Sequence, residues 1–212
     1  MAAAPWALLA QPPPLWWRWW LAPAAFVIAV ATFHLSEGLL VFTINPDQFS
    51  PARSFLISKP YVLAMSAGLA EYLAGLFLFP GPKSDSALAS CAFALGLALV
   101  AVGEGVRKSG VLAAGRAFTH DLQPATGPLR VPRVVQGGVY AWVRHPGYLG
   151  WLLWAPGTMV LLANPLSAAA FAALAWRFFA ARIPREEALL LQMYGQEYAE
   201  YRRRVPTRMG IP

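Results

Sequence analysis

The chain has 212 residues, 58% of them hydrophobic and only 13% charged, with nine Trp, one Cys and a formal net charge of +7. That composition excludes an ordinary soluble domain, which needs more charge to cover its surface, and it fits one compact membrane-embedded domain spanning 1–212. The basic residues are interleaved with apolar runs, so an anionic lipid surface accounts for them better than a nucleic acid does, and the lone Cys91 excludes an intrachain disulfide.

Residues 1–23 end in Trp16, Trp17, Arg18, Trp19 and Trp20 and are broken by Pro12, Pro13 and Pro14. Amphipathic rings of this kind settle at the headgroup level, which predicts an interfacial collar. The missing basic n-region argues against a cleaved signal peptide. Three transmembrane helices are predicted across 24–106, over Ala24 to Ile44, Tyr61 to Phe79 and Ala87 to Val106, each bounded by Pro, Gly or charge. A polar stretch rich in Gly, Pro and Arg then fills 107–147, and a loop of that length in a compact domain reads as functional or disordered.

Two apolar arms follow, Tyr148 to Ala163 and Leu166 to Ala181, each of 16 residues and so about 24 Å long if helical, short of a full crossing. Asn164-Pro165 between them predicts a turn, hence an antiparallel helical hairpin over 148–181 rather than one helix. Pro184 predicts a kink or a restart, with an amphipathic helix over Arg185 to Tyr201 in the terminal segment 182–212. If three spans cross and the hairpin returns, fourteen basic residues share one side, against Arg18 and Lys83 on the other. The positive-inside rule makes the rich side cytosolic. The fold class is therefore all-α, a polytopic integral membrane bundle with a C-terminal helical hairpin and a cytosolic pocket.

Ionisable residues inside spans are expensive, and His34, Glu37, Glu71 and Glu104 each allow two readings, a polar path or interhelical hydrogen bonding, the second being favoured. Arg107 is spaced to pair with Glu104 one turn away. Gly103-Glu104-Gly105 lacks the strand and third glycine of a dinucleotide loop, and neither HExxH nor a serine elbow is present. His34, His120 and His145 are too scattered for a metal site. Arg144-His145-Pro146-Gly147-Tyr148 stands at the start of the first arm, where Pro146 suits a first helical turn with free N–H groups. Its residues read equally as an interfacial anchor and aromatic belt. At the other end of the hairpin Arg182 and Glu186 lie four apart, either a solvated pair or a place to hold a charged ligand against lipid.

The run Gly138-Val139-Tyr140-Ala141-Trp142, Arg144-His145-Pro146, Tyr148, Gly150-Trp151, Asn164-Pro165, Trp176-Arg177-Phe178-Phe179, Arg182, Glu186-Glu187, Tyr194-Gly195, Glu197-Tyr198, Glu200-Tyr201 and Arg204-Val205-Pro206 resembles the isoprenylcysteine carboxyl methyltransferases. Phe33-His34, Ser36-Glu37, Gly103-Glu104, Arg107-Lys108, Ala114-Gly115, Phe118 and His120 match the same pattern in order. The resemblance implies an endoplasmic reticulum enzyme, C-terminus cytosolic, that methylates the carboxylate of a C-terminal prenylated cysteine with S-adenosylmethionine. Carried over by position, Gln123, Pro132, Arg133, Val134, Val135, Tyr140, His145, Pro146, Gly147, Tyr148 and Glu186 bind the methyl donor, and Arg182 holds the substrate. The implied partners are prenylated proteins and the bilayer, with no metal and no nucleic acid. Phospholipid amine methyltransferases share the Arg-His-Pro and Glu-Glu parts, and an inactive structural homologue is a further alternative.

Overall fold

The computed structural model describes residues 16–78, 87–122 and 132–212, with 16–19 described by backbone alone. Within them the chain forms seven α-helices and no strand: α1 (Trp16–Ile44), α2 (Pro51–Ser54), α3 (Lys59–Leu78), α4 (Ala87–Ala114), α5 (Pro146–Leu161), α6 (Pro165–Tyr194) and α7 (Gln196–Arg204). Four stretches are long and apolar enough to cross a membrane, Trp20–Ile44, Lys59–Leu78, Ala87–Ala117 and Pro165–Tyr194. The exposed large side chains, Leu35, Leu39, Phe42, Leu63, Phe77, Leu95, Leu174 and Phe178 among them, are what a lipid-facing surface requires. This is the fold of a multi-pass membrane protein.

The bundle is built on α4 and α5, which meet through small residues. Gly96, Gly103 and Gly110 recur every seventh position along α4. A Cβ at Gly103 would lie 2.6 Å from the carbonyl oxygen of Gly150 in α5, and one at Gly96 would lie 2.2 Å from the backbone nitrogen of Leu161. In lipid the drive for helix association is close packing rather than the hydrophobic effect, and glycine lets two backbones approach. Short α5 is thereby enclosed, with Trp154, Ala155, Met159 and Leu161 all at 2% exposure or less. Trp154 packs with Phe33 of α1 and with Trp151 in an aromatic cluster joined by His34 and Tyr61.

The hairpin turn lies where Asn164-Pro165 predicts it. The Asn164 side chain, fully buried, donates to the carbonyl of Gly68 in α3 at 2.7 Å. Glu71, one turn on, accepts the backbone N–H groups of Leu166 at 3.0 Å and Ser167 at 2.7 Å. Those donors are orphans of the first turn of α6, and a carboxylate at a helix N-terminus satisfies both the hydrogen bonds and the dipole. Glu71 is thus an interhelical fixing group, as favoured for it.

Four expectations need correction. The first helix begins at Trp16, so the span expected from Ala24 is the continuation of a helix that already includes the tryptophan run. The third span does not end at Val106, since α4 runs to Ala114 and a 3-10 turn continues over Gly115–Ala117. The second arm is not short. It continues through Pro184 to Tyr194, an unbroken helix of 30 residues, about 45 Å long. Pro184 loses a hydrogen bond to Ala180, a cost of about 3 kcal/mol, but Phe179, Ile183 and Glu187, spaced four apart, are all buried on the inner face and hold the helix on line. The predicted helix over 185–201 is instead divided at Gly195, whose φ of +54° favours glycine. Gln123 lies outside the described residues.

Candidate active site

At one end of the bundle, segments distant in sequence converge. Asn45, just past α1, donates from its side chain to the carbonyls of Gly115 at 3.2 Å and Phe118 at 3.0 Å, docking the segment after α4. The backbone N–H of Arg144 donates to the Pro206 carbonyl at 3.1 Å, which joins the C-terminal tail to the start of α5. Met209 and Ile211 of that tail pack with Val143, Leu149, Phe179 and Ile183. The residue after α1, the segment after α4, the start of α5 and the C-terminal tail therefore gather at this end.

Two fully buried glutamates organise it. Glu37 of α1 accepts Arg107 Nε at 3.0 Å on Oε2 and Arg107 Nη2 at 2.5 Å on Oε1. Lys108 Nζ also reaches Oε2 at 2.5 Å, and His120 Nε2 lies 2.8 Å from Oε1. The expected Glu104–Arg107 pair is replaced, because the fully buried carboxylate offers the planar guanidinium a bidentate partner. Glu104 turns to Lys108 at 3.6 Å and accepts the Ser36 hydroxyl at 3.0 Å. Glu187 of α6 is the second centre, hydrogen-bonded through Oε1 to Arg144 Nε at 2.8 Å and His145 Nε2 at 3.0 Å and ion-paired through Oε2 with Arg202 Nε at 2.9 Å. Arg144 also donates to the carbonyls of Arg202 and Val205.

Between these centres lie the two ends of the hairpin. Arg182 Nε donates to the Tyr148 hydroxyl at 2.7 Å, and that hydroxyl donates to Glu186 Oε2. Arg182 Nη2 donates to the His120 carbonyl at 2.6 Å, while its Nε stands 4.0 Å from Glu186. Arg107 Nη1 donates to the Gly147 carbonyl at 2.9 Å. His145 Nδ1 lies 3.8 Å from Glu186, and its ring is stacked parallel to Tyr148, which in turn stacks on Phe179. His145, Pro146, Gly147, Tyr148, Arg182 and Glu186 are thus brought together.

Tyr140 joins them from a 3-10 turn over Gly138–Ala141, its carbonyl accepting the Tyr201 hydroxyl at 2.8 Å. Burial pushes both phenols above their ordinary pKa, so each keeps its proton. Pro132 and Arg133 are exposed, while Val134 donates its N–H to Glu197 at 3.2 Å and packs beside Tyr198, Tyr201 and Val205. The segment 132–135 therefore lies against α7. No group of three or more His, Cys, Asp or Glu able to hold a metal occurs among the described residues.

Glu187, Arg144 and His120 belong to the motif that carries the resemblance, but sequence reasoning assigns none of them a role in the site. Glu187 is masked by its neighbour Glu186, and Arg144 reads equally well as an interfacial anchor. Only its position four residues after Ile183 on the buried face separates Glu187 from a solvated charge. A backbone carbonyl carries no side-chain signature at all.

The profile described as the Isoprenylcysteine carboxyl methyltransferase (ICMT) family matches residues 94–192. Protein-S-isoprenylcysteine O-methyltransferase B of Arabidopsis thaliana is 42% identical over 185 residues, covering 87% of this chain and 90% of that protein. The probable protein-S-isoprenylcysteine O-methyltransferase of Oryza sativa subsp. indica is 44% identical over 91% of this chain and 95% of its own length. The Homo sapiens protein-S-isoprenylcysteine O-methyltransferase is 36% identical over 88% of this chain, which spans 63% of the human protein. Among solved structures, a eukaryotic intramembrane Ras methyltransferase, isoprenylcysteine carboxyl methyltransferase, superposes with a TM-score of 0.81 at 35% identity, over 96% of this chain and 69% of that one.

Proposed function

The chain belongs to the isoprenylcysteine carboxyl methyltransferase family, and from that premise we infer that it converts the carboxylate of a C-terminal prenylated cysteine into its methyl ester. The methyl donor is S-adenosylmethionine, and the site faces the cytosol from the endoplasmic reticulum membrane. Family membership and the fourteen basic residues assigned to one side support that placement.

The observation that carries the reading is the junction of Tyr148, Arg182 and Glu186, where the two ends of the hairpin meet over hydrogen bonds. When bound, S-adenosylmethionine supplies a methyl group on a positively charged sulfur. The residues fit such a cation: Glu186, 28% exposed at its side chain, provides a carboxylate beside the Tyr148 hydroxyl. Pro132 to Val135, Tyr140, Pro146 and Gly147 would hold the rest of the donor, assigned with Gln123 by resemblance.

The acceptor carboxylate is already ionised at neutral pH, so no general base is needed. Arg182, 22% exposed at its side chain, offers the carboxylate a planar fork. With Nε engaged by Tyr148 and Nη2 by His120, the guanidinium plane is set before substrate arrives. Positioning of this kind lowers barriers by about 7–11 kcal/mol. The prenyl chain, nearly pure hydrocarbon, remains in the apolar region among the helices, so a water-soluble donor and a lipid substrate meet at the rim.

The test is transfer of a labelled methyl group to farnesylated cysteine, beside a non-prenylated control. Base-labile label on the farnesylated compound alone is expected. Label in phospholipid amines, or in neither cysteine compound despite donor binding, rules the reading out.

A further inference from the structure

Arg182 owes its orientation to more than the hairpin. Its Nη2 is held by the backbone carbonyl of His120, a residue on the segment following α4 and 62 positions away. Nothing in a carbonyl oxygen keeps it in place, so the segment carrying it must be anchored. The anchor is the His120 ring, whose Nε2 lies 2.8 Å from Glu37 Oε1. Glu37 is wholly buried, and each of its oxygens has two partners: Arg107 and His120 on Oε1, Arg107 and Lys108 on Oε2. A carboxylate saturated in this way has one geometry, since losing any contact in a low-dielectric setting leaves a buried charge short of a partner.

We propose that His120 is a positioning residue for the acceptor carboxylate: its ring, clamped by Glu37 of α1, fixes the carbonyl that aims the Arg182 guanidinium. The inference rests on the proposed methyl-esterification. The donor side has its own support in Glu187, Arg144 and Arg202, so His120 acts selectively on the acceptor. Asn45, holding the Gly115 and Phe118 carbonyls, keeps the segment docked when the ring contact is lost. What then changes is the fine placement of one carbonyl.

The test compares wild type, His120→Ala and His120→Gln in detergent or nanodiscs, measuring methyl transfer to farnesylcysteine, donor dissociation constant by calorimetry, and melting temperature. His120→Ala is expected to lower kcat/KM for the acceptor about 100-fold, the effect of misplacing a positioning group by about 1 Å. Donor affinity stays within about threefold, because His145 and Glu186 are supported through Glu187, and Arg107, which holds the Gly147 carbonyl, keeps both its bonds to Glu37 without the His120 ring. His120→Gln, whose amide can donate to Glu37 at the same reach, restores most of the acceptor kcat/KM. His120→Phe fills the space without a donor and replaces the alanine variant should that one not fold. Unchanged acceptor kinetics in His120→Ala or His120→Phe overturn the role. So does parallel loss of donor and acceptor binding with no rescue by glutamine, or failure of both non-bonding variants to fold, since each outcome assigns the ring to architecture alone. Wild-type protein that binds donor but forms no ester removes the premise, a result distinct from any difference among the variants.

Discussion

The two buried glutamates make similar clusters with different reach. Each carboxylate gathers one histidine and two basic side chains, Arg107, Lys108 and His120 at Glu37, and Arg144, Arg202 and His145 at Glu187. Glu37 draws α1 and α4 together and extends through the His120 carbonyl to Arg182, on the acceptor side. Glu187 draws α6, the start of α5 and α7 together and extends through His145 toward Glu186, on the donor side. Buried ion pairs are weak evidence for net stability, because desolvation offsets attraction. Their use here is to fix geometry, Glu187 on the donor side and Glu37 mainly on the acceptor side, with the Arg107 bond to the Gly147 carbonyl as its one reach toward the donor.

That division can be broken by charge removal. Glu187→Gln removes the charge that offsets Arg144, which is 7% exposed and keeps only neutral acceptors, the carbonyls of Arg202 and Val205 among them. Breaking a buried pair from one side costs roughly 3–5 kcal/mol, and the expected result is a large fall in melting temperature together with weakened donor binding in calorimetry. Glu37→Gln is expected to destabilise somewhat less. Its amide still accepts from Arg107, and Lys108 retains Glu104 at 3.6 Å. Its kinetic signature is loss of acceptor kcat/KM with donor affinity largely kept. If both variants show the same pattern of losses, the clusters are one cooperative unit and the division fails.

Tyr148→Phe sharpens the comparison at the point where the halves meet. It removes the hydroxyl shared by Arg182 and Glu186 while keeping the ring stacked between His145 and Phe179. Loss of a hydrogen bond to charged groups is worth about 1.5–3 kcal/mol, so turnover should fall about tenfold or more with little change in melting temperature. Unchanged turnover would take the hydroxyl out of the site. The smallest effect is expected at the far tip of the hairpin, where Asn164→Ala deletes the bond to Gly68. It should lower stability by about 0.5–1.5 kcal/mol through the lost hydrogen bond, since the Gly68 carbonyl keeps its helical partner, and leave both kinetic constants alone. A change in donor affinity there would show that the tip and the site are coupled.

The parts of this arrangement legible in the amino-acid sequence are those with local causes. Hydropathy marks the spans, and Asn164-Pro165 marks the turn, because the proline ring cannot continue a preceding helix and suits the first turn of the next. The run Arg144 to Tyr148 and the pair Arg182 and Glu186 stand out as polar residues at the margins of apolar arms. What escapes is decided by distant partners. The length of α6 depends on burial of Phe179, Ile183 and Glu187 outweighing the local penalty of Pro184. Arg107 prefers Glu37, 70 positions away, to the carboxylate one turn off. The tight α4–α5 seam needs both glycine sets at once, Gly96 and Gly103 on one helix and Gly150 and Gly157 on the other. Neither set identifies its partner by itself.

The most direct measurement is a pair of numbers for Arg182→Ala: donor affinity by calorimetry and labelled methyl transfer to farnesylated cysteine. The predicted result is donor binding within a few-fold of wild type and turnover lost by about a hundredfold or more, in line with the loss of a group that orients one reactant. Turnover close to wild type, or loss of donor binding equal to the loss of turnover, would contradict the assignment of the two ends of the hairpin to acceptor and donor.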